Sequence, residues 1–330
     1  VSPPPDFEPP RAGRAVVERA VAALRAGELV GFPTETVYGL GADATNGDAL
    51  HRLYAAKGRP LDHPVIVHLG STAGLDDWGI AVSPAARALA AEWWPGPLTL
   101  IVAASARVSR VATGGLDTVG LRVPAHPVAL RLLEEFGGGI AAPSANRFGR
   151  VSPTTAEAVR AAFGSEVAMV LDGGPCAVGV ESTIVDCTLA SPRVLRHGAV
   201  TIEMLSELLG AVPAVGGTTR APGTLASHYA PDARVEVVDT RALEARIRVL
   251  ADAGVTCGVI EMRAGAPPER PEAVVTLATV ASVAEYARVL YWALRKADDL
   301  GVDVVLAVSP PLDGIGAAVA DRLQRAASDR

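Results

Sequence analysis

Residues 211–233, AVPAVGGTTRAPGTLASHYAPDA, are rich in proline and glycine and break the hydrophobic periodicity that runs on both sides of them. Such a stretch reads as a linker, and it calls for two cores rather than one. With 330 residues, 49% of them hydrophobic, the chain has enough apolar side chains to build both. After the break the pattern is regular: strands at 235–238, 256–261, 274–277 and 304–308 alternate with helices at 241–253, 283–299 and 315–327. This predicts a small doubly wound parallel sheet. Before the break, helices at 14–26, 46–56, 84–93, 127–136, 154–163 and 201–209 are interleaved with short apolar strands at 29–32, 64–69, 98–103, 119–123, 140–142, 167–171, 182–186 and 193–195. That mixture predicts an α/β domain with a partly antiparallel sheet. The expected organisation is a first domain over 1–210, a linker over 211–233 and a second domain over 234–330.

A net charge of -6 and a pI near 5.6 argue against a protein that lives on nucleic acid, because phosphate binding needs a broad basic surface. Three scattered cysteines, Cys176, Cys187 and Cys257, have neither metal-site spacing nor the density of a secreted disulfide framework. The N-terminus VSPPPDFEPP lacks the basic and apolar regions of a signal peptide, so a soluble cytoplasmic protein is the expectation. Of 30 basic residues only Lys57 and Lys296 are lysine, which makes Lys57 conspicuous.

Four segments place polar and small residues at predicted strand ends, where open α/β sheets bind ligands. In PTETVYGLG, Thr34 and Thr36 offer hydroxyls, Glu35 a carboxylate and Tyr38 a ring, while Gly39 and Gly41 allow close approach of a ligand; an ordinary turn fits as well. Lys57 and Arg59 sit two apart at a helix exit, with His63 and His68 behind them. That pair suits an anion such as triphosphate, and it also suits the helix dipole. Ser144 and Asn146, in a loop running on to Ser152, present donors for phosphate ahead of a helix capped by Thr154, or simply connect strand to helix. The segment GGPCAVGVEST ends in Ser182 and Thr183, with Arg196 beyond the next strand. Arg122, in the apolar strand VGLRVP, is the sharpest single clue, since a buried guanidinium needs an anionic partner.

Taken in order, PTETVYGLG, KGRPLDHPVIVH, WPGPLTLI, VGLRVP, PSANRFGRVSPT, GVESTIVD and VLRHG resemble the YrdC/Sua5 family of threonylcarbamoyl-AMP synthases over residues 20–200. The phrase APGTLASHYAP and the α/β tail resemble the longer two-domain Sua5 form. The resemblance implies a YrdC-like twisted mixed sheet with helices, plus a smaller Rossmann-like parallel-sheet C-terminal domain. It implies an enzyme, a nucleotidyltransferase that joins L-threonine, bicarbonate and ATP into L-threonylcarbamoyladenylate and pyrophosphate. The product supplies the t6A modification at position 37 of tRNAs that read ANN codons.

By the same resemblance Thr34, His68, Arg122, Ala142 and Ser182 line the threonine site, with Arg122 on the carboxylate. Lys57, Arg59, His63, Thr118, Ser144, Ser152 and Arg196 face ATP, Lys57 and Arg59 being the catalytic cations, and Tyr229 closes over the nucleotide. Mg2+ accompanies ATP without a protein metal site, and the product passes to a tRNA threonylcarbamoyl transferase. No membrane association or stable nucleic-acid binding is implied. His63 stands where many relatives have Asn, Phe148 where Ser is frequent, and Thr224 to Ser227 where some carry Met-Lys-Tyr-Lys. Position 148 and a lysine contact from the linker are therefore not carried over. Two rivals remain at this stage: a carbamoyl-adenylate-forming enzyme using carbamoyl phosphate, and a non-catalytic RNA-binding module. Against the second, residues 1–215 hold 17 Lys and Arg and 21 Asp and Glu.

Overall fold

The computed structural model describes residues 13–223 and 229–328. The proline-rich start and the lysine-free linker positions 224–227 lie outside the described residues. The described chain falls into two compact units, one of residues 13–148 with 152–223, the other of 149–151 with 229–328. The stretch read as a linker is thus divided between the units.

In the larger unit, α1 (Arg14–Arg25) buries Val17, Ala20, Val21 and Leu24 along one helical face. They pack with Phe32 of β1 (Val30–Phe32) and with Leu132 and Leu133 of α5 (Pro127–Phe136). Between these elements come β2 (Gly39–Asp43), α2 (Gly47–Lys57), β3 (Ile66–His68), α3 (Gly74–Trp78), β4 (Gly79–Ile80), α4 (Pro84–Trp93), β5 (Leu98–Ala104) and β6 (Thr118–Arg122). After α5 follow β7 (Ile140–Ala141), α6 (Ala156–Phe163), β8 (Met169–Val170), β9 (Thr183–Asp186), β10 (Arg193–Arg196), α7 (Ile202–Leu209) and β11 (Ala214–Val215). Among the described residues these eleven strands form one mixed sheet in the order β11-β10-β9-β5-β6-β3-β7-β2-β1-β8, with β4 beside β5. Two registers position the site. β3 and β6 run parallel with His68 opposite Arg122, and β5 runs parallel to β9 with Thr99 opposite Ile184.

The helix ends follow their capping residues. The Asn46 side chain accepts from the N–H groups of Asp48 and Ala49 at the start of α2, and Gly58 closes that helix in a left-handed conformation, with φ 64°. At α6 the cap is Thr155, which accepts from Ala158 N, and not Thr154 as the capping-box spacing predicts. Thr154 is buried one residue earlier, and its carbonyl accepts from Cys176 N.

The largest departure is in PTETVYGLG. Its last three residues are not loop but the first half of β2, paired antiparallel with β1. A Cβ on Gly41 would stand 2.9 Å from Ile140 and 3.0 Å from the Phe32 ring, and one on Gly39 would lie 3.2 Å from Ala142. These glycines make room for neighbouring core side chains, not for a ligand. Tyr38, expected to stack in a pocket, is fully buried; its hydroxyl donates to Gly174 O at 2.7 Å and accepts from Gly173 N.

The smaller unit is an all-parallel sheet in the order β12-β15-β13-β14, formed by β12 (Arg234–Val238), β13 (Cys257–Met262), β14 (Val274–Val280) and β15 (Val304–Val308). Its helices are α8 (Leu243–Asp252), α9 (Val283–Leu300) and α10 (Gly316–Ala327). Ser282 caps α9 through Glu285 N, as its spacing predicts. No helix among the described residues is long and apolar enough to cross a membrane.

Substituting Gly41→Ala forces a methyl against Phe32 and should cost about 1–3 kcal/mol of stability, the usual penalty of overpacking. A Phe32→Leu change in the same chain should recover part of it. Thermal denaturation of the single and double variants measures both effects.

Candidate functional site

The strand register that sets His68 beside Arg122 defines one half of the site. Arg122 is 3% exposed and makes three hydrogen bonds: Nε to Gly96 O at 3.1 Å, Nη1 to Thr36 Oγ1 at 2.9 Å and Nη2 to Glu35 Oε1 at 2.6 Å. The hydroxyls beyond it have a direction. Thr34 Oγ1 donates to Val37 O at 2.6 Å, so in its 2.8 Å contact with Thr36 the hydrogen comes from Thr36. Thr34 Oγ1 also accepts from the backbone N–H groups of Thr36 and Val37, which fixes the loop. Ala142 holds its place through a bond from its N–H to Ile66 O.

His68 lies edge-on to Phe32 with ring centroids 5.9 Å apart, and its buried Nδ1 has no hydrogen-bond partner among the described residues. Burial, and after it the Arg122 charge, push its pKa down to about 3. The imidazole is therefore neutral and aims an unsatisfied polar atom beside a cation.

A second cluster joins α2 to the Ser144 loop. Lys57, 2% exposed, donates from Nζ to Ser144 O at 2.6 Å and to Asn146 O. Burial, then repulsion from Arg59 and Arg147, hold its pKa well below the ordinary lysine range. In return Phe148 N donates to Lys57 O. The family resemblance puts Lys57 toward ATP; in the structure its Nζ is bound to the backbone of the neighbouring loop. Arg59 donates to His63 O and Pro64 O, and its guanidinium lies 5.7 Å from the Phe148 ring centre. That ring also stands 5.4 Å from the ring of His63. Phe148, which replaces a small polar residue, thus packs between two residues expected to face nucleotide.

A third cluster lies at β9 and β10. Arg196 donates to the Ser182 carbonyl and to its hydroxyl, and its Nη1 donates to Pro222 O at 2.9 Å. Ser182 Oγ is 2.8 Å from Thr99 Oγ1. Ser152, fully buried, donates to Glu181 Oε1 at 2.6 Å. Thr118 lines a small crevice with Thr99, Gly120, Arg220 and Pro222. Residues 214–222 therefore belong to the larger unit. Ala221 packs with Ile66, Ile101 and Ile184, and Arg220 reaches Asp62.

Tyr229 belongs to the smaller unit. It is 1% exposed with φ at 63°, a left-handed conformation unusual outside glycine. Its ring centre is 5.6 Å from that of Tyr291 and 5.4 Å from the guanidinium of the fully buried Arg322.

Sequence reading quoted Gly96 and Glu181 only as parts of the motifs WPGPLTLI and GVESTIVD and gave neither a role. It named Glu35 and Thr36 without partners, because contacts across 86 and 87 residues have no signature in a single sequence.

Comparison with known proteins covers both units. A family model for the Sua5, YciO and YrdC proteins, described as telomere recombination, matches residues 22–198, and one described as threonylcarbamoyl-AMP synthase, C-terminal domain, matches residues 200–328. The threonylcarbamoyl-AMP synthase of Pyrococcus abyssi is 43% identical over 324 residues, 94% of each chain, and that of Bacillus subtilis is 39% identical over 95% of this chain and 93% of its own. The crystal structure of P. abyssi Sua5 complexed with L-threonine superposes with a TM-score of 0.90 at 40% identity, covering 96% of both chains.

His68 gives a pH signature. Its folded value near 3 lies below the ordinary 6.5, so the unfolded chain takes up the proton first. The stabilising contribution is complete above about pH 6.5 and declines as pH falls toward 3. NMR of the folded protein should show a His68 imidazole that does not titrate between pH 8 and 5, and His68→Gln should flatten the acid limb of the stability curve. A His68 signal titrating near 6.5 would contradict the burial argument.

Proposed function

The chain belongs to the Sua5/YrdC family of threonylcarbamoyl-AMP synthases, and from that premise we propose how its own residues divide the work. The protein is an L-threonylcarbamoyladenylate synthase that serves t6A biosynthesis in tRNA. It consumes L-threonine, bicarbonate and ATP in an adenylation reaction that releases pyrophosphate. Threonine sits on the Arg122 side, among Thr34, His68, Ala142 and Ser182. ATP lies along Arg59, His63, Thr118, Ser144, Ser152 and Arg196. The carbamate formed on the threonine amine attacks the α-phosphate in line, so the protein's task is to align the reactants and to balance phosphate charge.

One observation supports this division: hydrogen bonds gather segments far apart in the chain into three polar clusters, around Arg122, Lys57 and Arg196. Lys57 acts in part by holding the Ser144 and Asn146 carbonyls, which fixes the Ser144 loop against the end of α2. A Mg2+ ion accompanying ATP would be held chiefly by phosphate oxygens and water, where it would offset triphosphate charge. The labile adenylate then passes to a tRNA-modifying threonylcarbamoyl transferase in the cytoplasm.

Purified protein should release pyrophosphate from ATP only when threonine and bicarbonate are both present. Release that ignores threonine and requires carbamoyl phosphate would overturn this reading. Removing the Arg59 cation in Arg59→Ala should lower kcat/KM for ATP by about 10- to 100-fold, the loss expected for a charged hydrogen bond.

A further inference from the structure

Glu35 has no part in the reaction as described, yet its carboxylate is almost enclosed. One oxygen accepts from Arg122 Nη2 at 2.6 Å and the other from Ala125 N at 3.0 Å, with side chains 12% exposed for Glu35 and 4% for Arg122. A guanidinium carries five N–H donors in a planar fork. Gly96 O, Thr36 Oγ1 and Glu35 take one each, from three different nitrogens. One N–H therefore remains on each terminal nitrogen. Two such donors side by side match a carboxylate bidentately.

We infer that Glu35 is a positioning residue for amino-acid recognition: it locks the Arg122 guanidinium so that its two uncommitted N–H groups meet the carboxylate of threonine. The three contacts explain the rigidity. Rotation of the guanidinium plane breaks bonds to a backbone carbonyl, a hydroxyl and a carboxylate together, none of which is replaced by water at this depth. The Glu35 charge also makes the pair neutral before substrate arrives, so Arg122 is not held as an isolated buried cation. Ala125 N fixes the far oxygen of Glu35, which ties the pair to the turn after β6.

The inference rests on the proposed place of threonine at Arg122, and a test must separate the two. Calorimetry on the full-length protein compares L-threonine with L-threoninamide, which keeps every group except the carboxylate charge. Glu35→Gln and Glu35→Ala should bind threonine at least 10-fold more weakly than the unaltered protein, a loss of about 1.4 kcal/mol. Threoninamide affinity and KM for ATP should change by less than about twofold, because each involves no fork contact. Glu35→Asp, which keeps the charge, should recover part of the loss. A purely structural role would weaken threonine and threoninamide alike, and that result, or unchanged threonine affinity in both variants, would overturn the inference. Unchanged threonine affinity in Arg122→Gln would instead remove the site reading beneath it. Melting temperatures of the Gln and Asp variants within a few degrees of the parent confirm that folded proteins are being compared.

Discussion

Arg122 is a cation on a strand whose neighbours are apolar, in the middle of a mixed sheet, and moving a charge to such a place costs several kcal/mol unless it is paired and hydrogen-bonded. Glu35 and Thr36, from the loop after β1, and Gly96, from the segment before β5, supply that compensation. Meeting this need constrains the local fold. The loop after β1 must bring Glu35 and Thr36 over β6, and the antiparallel return of β2 holds it there. Gly39 and Gly41 allow that return because a side chain at either place would strike Phe32. Phe32 in turn braces His68, whose register opposite Arg122 completes the polar half of the site.

The phosphate half is organised differently. Its basic side chains bind protein carbonyls: Lys57 those of Ser144 and Asn146, Arg59 those of His63 and Pro64, Arg196 those of Ser182 and Pro222. The loops are thereby pre-shaped around one another, so that ordering them need not be paid for when substrate binds.

How much of this was readable in the chain depends on the range of the forces involved. Local patterns located the helices well: Pro84–Trp93 and Pro127–Phe136 fall where proline and glycine punctuation places them, and Asn46 and Ser282 cap as expected. The four-stranded parallel sheet of the smaller unit followed from regular alternation. Strand β2 was hidden because Gly39 and Gly41 imitate a loop, and the reason they are glycine lies in the ring of Phe32 and in Ala142 and Ile140 about a hundred residues on. Within the site, residue types were legible and partners were not. Glu35 reads in sequence as a carboxylate placed to steer Mg2+ or hold a neighbouring cation, and only the fold identifies that cation as Arg122. Phe148 looked like a gap in a polar motif, and in the structure it packs between the His63 ring and the Arg59 guanidinium.

The central claim is that a guanidinium pinned by Glu35, Thr36 and Gly96 presents its remaining two N–H groups to threonine. A crystal structure of this protein with L-threonine tests it directly. The account predicts the carboxylate bidentate on Nη1 and Nη2 of Arg122, with the 2.6 Å contact to Glu35 retained. A threonine carboxylate that displaces Glu35 from Arg122, or that binds away from Arg122 altogether, would contradict it.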